Sequence, residues 1–155
     1  MKLCMIGTGY VGLVSGVCFS DLGNTVYCVD KNKDKIKSLN KGIVPIYEPG
    51  LEEILKRNYK AKRLFFTDNL KEAVLKADII FICVGTPTKK NSNSADLKYV
   101  FQVANELKKI ITKYKIIITK STVPVSTGDK IEKILFNLKK KKLVDIVSNP
   151  EFLRE

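Results

Sequence analysis

The stretch Gly7-Thr8-Gly9-Tyr10-Val11-Gly12 is a complete G-x-G-x-x-G motif, and its surroundings decide how the sequence is interpreted. The apolar run Leu3–Ile6 precedes it, and apolar residues at helical spacing follow it. This context predicts a strand, a tight turn and a helix. Gly7 permits the turn, Gly9 lets the backbone approach a diphosphate, and Gly12 lets the helix lie close to the strand. The helix N-terminus then presents free N–H groups to the phosphates of a dinucleotide.

An acid ends the second predicted strand, Thr25–Val29. This residue, Asp30, is suited to accept hydrogen bonds from the ribose hydroxyls of an adenosine and to repel the additional phosphate of NADP. Three lysines that follow it moderate that repulsion: Lys31, Lys33 and Lys35. We therefore expect NAD as the cofactor. The alternative is that the glycines only form a turn and that Asp30 caps the next helix.

Short apolar runs alternate with helical stretches along the chain. The predicted strands are Leu3–Ile6, Thr25–Val29, Leu64–Phe66, Ile79–Val84, Ile116–Thr119 and Val144–Val147. The predicted helices lie near 10–22, 32–40, 51–59, 69–76, 97–112 and 126–139. The strands are almost continuously apolar, as in parallel strands covered on both faces. The pattern predicts an α/β fold of the Rossmann type, with a doubly wound, mainly parallel six-stranded sheet and helices on both faces. One domain is expected over 1–155.

Charge and hydropathy exclude several classes of protein. The net charge is +12, but only Arg57, Arg63 and Arg154 of the 28 basic residues are arginine, and the lysines are spread over five of the six predicted helices. Surfaces that read nucleic acid favour arginine and stacking rings, so no nucleic-acid partner is expected. No run of about 18 uncharged apolar residues is present, and the N-terminus lacks a signal-peptide pattern, so no membrane partner and a cytoplasmic location are expected.

The four cysteines each lie in an apolar run: Cys4, Cys18, Cys28 and Cys83. They form no C-x-x-C pair, and the chain has no histidine. We expect buried, reduced thiols that act as small hydrophobic residues, with no metal site and no catalytic cysteine.

Three loops follow strands at the predicted carboxyl edge of the sheet, where open α/β sheets bind ligands. They contain Gly85-Thr86-Pro87-Thr88, Lys120-Ser121-Thr122-Val123-Pro124 and 148–155. Small hydroxyl residues beside glycine or proline suit a rigid cofactor loop. The first two loops could equally be proline-stiffened turns with Thr122 as a helix cap, and the third could be the start of a linker.

Five segments, in their order and spacing, resemble the UDP-glucose/GDP-mannose dehydrogenase family. They are Gly7–Gly12, Ile46–Leu51, Val84–Pro87, Lys120–Pro124 and Asn149–Glu155, and the resemblance covers essentially the whole chain. Residues 120–128 are most similar to the branch that acts on UDP-glucose. The branches that act on GDP-mannose or UDP-N-acetylmannosamine share most of the other motifs.

The resemblance implies oxidation of a sugar C6 alcohol to a carboxylate with two NAD and a thioester on a cysteine. It implies that Tyr10, Val11 and the motif glycines bind the diphosphate, and that Asp30 and Lys35 bind the adenosine ribose. Thr86, Thr122 and Glu155 would line the rest of the cofactor. Thr122 and Glu151 would also hold the catalytic water and the reacting hydroxyl. The segment Glu151, Phe152, Leu153, Arg154 and Glu155 would lie along a small-molecule nucleotide sugar.

The chain also departs from the family pattern. Family members continue with a central helix, a nucleotide-sugar domain and the nucleophilic cysteine, and are expected to be homo-oligomers through the later part. We therefore expect residues 1–155 to bind NAD without oxidising sugar. Ser126 replaces a common glycine, which we expect to matter little because a helix begins there. Two other interpretations remain: a stand-alone NAD-binding module, or a basic interaction protein on the same fold.

Overall fold

The computed structural model describes residues 1–89 and 94–151. Six strands lie in these residues: β1 (Lys2–Ile6), β2 (Thr25–Val29), β3 (Leu64–Thr67), β4 (Ile79–Ile82), β5 (Lys115–Thr119) and β6 (Val144–Ser148). Seven helices lie between them: α1 (Tyr10–Asp21), α2 (Lys33–Asn40), α3 (Leu51–Lys60), α4 (Leu70–Lys76), α5 (Lys98–Ile110), α6 (Thr127–Ile134) and α7 (Phe136–Lys140).

The strands form one sheet in the order β3-β2-β1-β4-β5-β6, and every neighbouring pair is parallel. The predicted doubly wound α/β fold is therefore confirmed. The chain moves outward from β1 to β3, crosses over, and then moves outward in the other direction from β4 to β6. The strand order thus reverses between β1 and β4, and a crevice opens beyond the carboxyl ends of these two strands.

The sheet has a separate apolar core on each face. Alternate residues of β1 point to opposite sides, so Leu3 and Met5 join one core while Cys4 and Ile6 join the other. Helices α1, α2 and α3 cover the first core, and α4 to α7 cover the second. Because both faces are covered, the strands are continuously apolar and carry no alternating pattern.

Two differences from the predicted elements have a clear structural cause. Strand β4 ends at Ile82, two residues before the predicted end, because the Ile82 carbonyl accepts hydrogen bonds from the amides of Lys120 and Ser121. The predicted helix over 126–139 is divided at Leu135, where the backbone turns (φ −93°, ψ 10°). One apolar face nevertheless continues through the break, since Ile131, Leu135 and Leu138 are buried in the core.

Candidate cofactor site

The glycine motif forms the predicted turn between β1 and α1. Gly7 has a φ of +102°, and a Cβ there would lie 2.6 Å from the Cys83 carbonyl oxygen. A Cβ on Gly12 would overlap the Gly7 carbonyl oxygen and lie 2.9 Å from the Cys83 Cβ. At Gly9 no atom lies within 4 Å of the added Cβ. The turn at Gly7 and the close packing at Gly12 are therefore confirmed, whereas Gly9 borders open space.

Helix α1 begins beside that open space without a side-chain cap. Its N-cap is Gly9, which has no side chain to accept the first N–H groups, and the first turn carries no acidic residue. Val11 in this turn is half-buried. Uncapped amides and the positive end of the helix dipole together favour a bound anion. This geometry fits a diphosphate next to Gly9.

Asp30 lies at the carboxyl end of β2 and is bound to the glycine motif. Its Oδ2 accepts hydrogen bonds from the Thr8 hydroxyl (2.6 Å) and the Thr8 amide (3.0 Å), and its Oδ1 accepts one from the Asn32 amide (3.0 Å). Lys35 Nζ lies 3.4 Å from Oδ2. Burial alone would raise the pKa of Asp30, but these hydrogen bonds and Lys35 outweigh it and hold the pKa below its ordinary value.

The alternative that Asp30 caps the following helix is wrong. Helix α2 has Asn32 as its N-cap, and the Asn32 side chain accepts a hydrogen bond from the Lys35 amide at 3.0 Å. Asp30 therefore does not cap α2, and Thr8 of the glycine motif holds its carboxylate at the end of β2. A fixed, ionised carboxylate at this position can accept hydrogen bonds from sugar hydroxyls.

A cavity of about 430 Å³ opens beyond the strand-order reversal, and we call it the switch-point cavity. The ends of β1, β2 and β4 and one face of α5 line it. Gly7, Gly9, Asp30 and Lys35 are in its wall, as are the apolar side chains Leu70 and Val103. Its volume lies in the range of small-molecule pockets, and its mixture of apolar walls and few polar groups is typical of them. Four predicted cofactor residues therefore share this cavity: Gly7, Gly9, Asp30 and Lys35. The other predicted cofactor residues that the structure describes do not line it: Tyr10, Val11, Gly12, Thr86 and Thr122.

Each lysine that follows Asp30 is paired with a different carboxylate. Lys35 pairs with Asp30 at 3.4 Å, Lys33 with Asp68 at 3.8 Å, and Lys31 with Glu106 at 3.0 Å. The last pair joins the β2 end to α5, 75 residues further along the chain. Sequence reasoning named the lysines but none of the distant carboxylates, because the crossover that brings them together is a property of the fold.

The three loops at the carboxyl ends of β4, β5 and β6 are joined by hydroxyl groups. The Thr86 hydroxyl donates to the Thr122 carbonyl oxygen (2.9 Å), and the Thr122 hydroxyl donates to the Glu151 carbonyl oxygen (2.6 Å). Thr122 does not cap a helix, because the N-cap of α6 is Ser126. The structure thus brings together Thr86, Thr122 and Glu151. The other predicted residues of this segment, Phe152, Leu153, Arg154 and Glu155, lie outside the described residues.

Sequence reasoning missed Lys120. Its Nζ lies 2.6 Å from Glu151 Oε2 and 3.3 Å from Asn149 Oδ1, and its side chain is only 14% exposed. The Glu151 amide also donates to the Lys120 carbonyl oxygen (3.1 Å). Lys120 therefore positions the Glu151 carboxylate at the sheet edge. The signal was present in the sequence, since a lysine directly after a buried parallel strand points toward the ligand edge.

A second unpredicted contact joins the glycine motif to a distant loop. The Tyr10 hydroxyl donates to Glu48 Oε2, and this contact raises the pKa of Tyr10. Glu48 belongs to the segment before α3, which with the start of α3 lines a separate cavity of about 860 Å³. Tyr10 is therefore a link between the start of α1 and this segment.

The prediction that all four thiols are buried is wrong for Cys18. Helix α1 turns Leu13, Gly16 and Val17 toward the sheet, so the next position, Cys18, is on the outer face and exposed. The other three are buried, and burial raises their pKa values, that of Cys83 to about 12. At neutral pH these three are thiols and poor nucleophiles.

The described residues contain neither a membrane-spanning helix nor a group of metal ligands. Within 1–89 and 94–151, no helix is long and apolar enough to cross a membrane. Over the same residues, no three acidic, cysteine or histidine side chains are grouped as metal ligands.

Comparison with known proteins identifies the group to which the chain is related. The model of the UDP-glucose/GDP-mannose dehydrogenase family, NAD-binding domain, matches residues 1–155. The chain is 52% identical over 155 residues to the UDP-glucose 6-dehydrogenase of Rhizobium meliloti, covering 100% of this chain and 36% of that protein. It therefore spans about a third of the length of such relatives.

Two solved structures are similar throughout the chain. A ternary complex of GDP-mannose dehydrogenase from Pseudomonas aeruginosa superimposes with a TM-score of 0.93 at 38% identity, covering 100% of this chain and 37% of that one. A UDP-glucose dehydrogenase from Pyrobaculum islandicum gives 0.87 at 40% identity, covering 99% and 36%. With the glycine motif, the acid after β2 and the switch-point cavity, these matches show that the chain belongs to the UDP-glucose/GDP-mannose dehydrogenase family and forms its NAD-binding domain.

Proposed function

We propose that the chain is the NAD-binding part of a UDP-glucose 6-dehydrogenase, which oxidises UDP-glucose to UDP-glucuronate with two NAD. The observation that carries the proposal is the joined set of loops at the carboxyl edge, where Thr86, Thr122 and Glu151 lie next to one another. The 52% identity to a UDP-glucose 6-dehydrogenase favours UDP-glucose as the substrate. A GDP-mannose or UDP-N-acetylmannosamine dehydrogenase is the second candidate, favoured by the TM-score of 0.93 with the former.

The proposed cofactor position follows the walls of the switch-point cavity. The diphosphate lies at the uncapped start of α1, next to Gly9, with Tyr10, Val11 and Gly12 in the first turn. The adenosine ribose lies at Asp30 and Lys35. The rest of the cofactor extends past Thr86 and Thr122 toward the segment that ends in Glu155. NAD, when bound, supplies the hydride acceptor.

The chain's own contribution to the chemistry is an ordered carboxylate. Lys120 binds Glu151 Oε2 and thereby fixes the direction of the carboxyl group. A carboxylate fixed beside the reacting alcohol can hold a water molecule or take up the hydroxyl proton, and Thr122 is proposed to hold the same water. Glu151 and the four residues after it are proposed to lie along the nucleotide sugar.

Residues 1–155 alone are proposed to bind NAD without oxidising sugar. The described cysteines offer no suitable nucleophile, because Cys4, Cys28 and Cys83 are buried with raised pKa values. The remaining one, Cys18, lies on the outer face of α1. The thioester cysteine of the family is therefore proposed to come from a later part of the protein. The four free thiols also support a reducing, cytoplasmic location.

Calorimetry and absorbance test this proposal together. Residues 1–155 are titrated with NAD and then incubated with NAD and UDP-glucose while absorbance at 340 nm is followed. We expect NAD binding and no steady NADH production. Steady NADH production would overturn the proposal that residues 1–155 alone cannot oxidise sugar. Failure to bind NAD would overturn the proposal that they bind the cofactor on their own.

The identity of the substrate is tested with the complete protein encoded by the gene. UDP-glucose, GDP-mannose and UDP-N-acetylmannosamine are compared as substrates, and the proposal expects the highest kcat/KM for UDP-glucose. A higher value for either of the others assigns the second candidate. If no sugar is oxidised and NAD still binds, the stand-alone module is the correct interpretation.

A further inference from the structure

The charged side chains of the switch-point cavity are paired with one another. Five of them line it: Asp30, Lys31, Lys35, Asp68 and Glu106. Three carboxylates and two lysines line the cavity, and Lys33 pairs with Asp68 from outside the lining at 3.8 Å, so each carboxylate is matched by one lysine. A phosphate monoester carries between one and two negative charges at neutral pH, and in this wall each lysine near Asp30 is already bound to a carboxylate.

Lys31 is placed to bind the 2′-phosphate of NADP, but Glu106 already binds it. It directly follows Asp30, the residue proposed to bind the adenosine ribose, and it lines the same cavity. Its Nζ is directed at Glu106 Oε1 on the α5 wall, at 3.0 Å. Lys35 is already held by Asp30 and by the Thr8 carbonyl oxygen (3.5 Å).

We propose that Glu106 is a specificity-determining residue that favours NAD over NADP. It acts in two ways: it adds a negative charge to the cavity wall, and it binds the ammonium group that a 2′-phosphate would need. Discrimination therefore does not rest on Asp30 alone but is shared with a carboxylate of α5, far along the sequence. This inference rests on the proposed placement of the adenosine ribose at Asp30.

The test uses the substitution Glu106→Gln, which keeps the side-chain shape and removes its charge. Lys31 then loses its partner and becomes available to the phosphate. Calorimetry with NAD and with NADP gives the ratio of their dissociation constants for the wild type and for the variant. We expect this NADP-to-NAD ratio to fall by about three- to tenfold, as for one partly exposed ion pair near a phosphate. Raising the salt concentration should reduce the change.

Two further variants make the result specific. Glu132→Gln removes the same charge from an exposed ion pair with Lys139 on α6 and α7, which contribute nothing to the cavity wall, and should leave the ratio unchanged. In the double variant Lys31→Gln with Glu106→Gln, the NADP-to-NAD ratio should return to the wild-type value, because the ammonium group that Glu106→Gln releases is absent.

The outcomes separate this inference from the proposed site. If Asp30→Ala weakens NAD binding but Glu106→Gln changes the ratio no more than Glu132→Gln does, the role of Glu106 is overturned while the site stands. A ratio that stays low in the double variant also overturns the role of Glu106. If Asp30→Ala leaves NAD affinity unchanged, the ribose placement fails and the inference fails with it.

Discussion

Asp30 and Thr8 are joined by two hydrogen bonds, one from the Thr8 amide (3.0 Å) and one from the Thr8 hydroxyl (2.6 Å), both to Asp30 Oδ2. The acid at the end of β2 therefore holds the glycine motif in its conformation, in addition to its proposed contact with ribose. A carboxylate with two tasks should affect both stability and binding when it is changed.

Asp30→Asn is expected to lower the free energy of unfolding at pH 7. The folded state holds the pKa of Asp30 below its ordinary value of 3.8, so its contribution is present above that pH and is lost as the pH falls through the lower folded-state value. Urea unfolding at pH 7 and near pH 3 should show a difference between variant and wild type that shrinks at the lower pH. A difference of the same size at both pH values would contradict this.

Gly9→Ala and Gly12→Ala are expected to have opposite consequences. At Gly9 the methyl group meets no atom within 4 Å, so stability should change by less than about 1 kcal/mol, while the group intrudes on the proposed diphosphate and weakens NAD binding at least about tenfold. At Gly12 it overlaps the Gly7 carbonyl and should cost about 1–3 kcal/mol of stability. Thermal unfolding and NAD titration check both, and similar stability losses in the two variants would refute the distinction.

Ser126→Gly is expected to stabilise the protein by about 1 kcal/mol. Ser126 has a φ of +72°, a left-handed conformation that favours glycine, and its side chain caps no N–H group of α6. This measurement tests the expectation that a serine here matters little, because the residue that precedes α6 is in a left-handed conformation. As a control, Ser38→Gly within α2 should destabilise by about 0.5 kcal/mol. Urea unfolding of both variants should give shifts of opposite sign.

Thr119→Val is expected to maintain or raise stability, by up to about 1 kcal/mol. Among the described residues, the Thr119 hydroxyl is the one buried side-chain oxygen or nitrogen that lacks a hydrogen-bond partner, and the residue is 2% exposed. Valine replaces it with a methyl group of similar shape and removes an unmet polar group. Thermal unfolding is the measurement; a clear loss of stability would show instead that the hydroxyl binds a water molecule.

The sequence predicted the sheet well because parallel strands covered on both faces leave an unambiguous signal. Runs such as Leu3–Ile6 are continuously apolar, and the glycine motif between the first run and the next helix defines one turn in detail. Boundaries were less certain. The end of β4 is set by the amides of Lys120 and Ser121, which lie almost forty residues further along the chain.

The contacts that sequence reasoning missed join residues on elements that are distant in sequence and brought together by the fold. Lys31 and Glu106 are 75 positions apart, Lys120 and Glu151 are 31 apart, and neither pair follows a local spacing rule. The exposure of Cys18 was missed for a different reason. An apolar run is buried throughout in a strand, but only one side is buried in a helix.

The hydroxyl contacts that join Thr86, Thr122 and Glu151 both end on main-chain oxygens. Every residue type provides such an acceptor, so these two contacts, unlike the ion pair between Lys120 and Glu151, do not depend on which side chain occupies position 151. A change of side chain at position 151 should therefore leave the two threonine contacts between these turns in place. The side-chain atoms of residue 151 can thus differ in chemistry while its main-chain oxygen keeps the same structural contact.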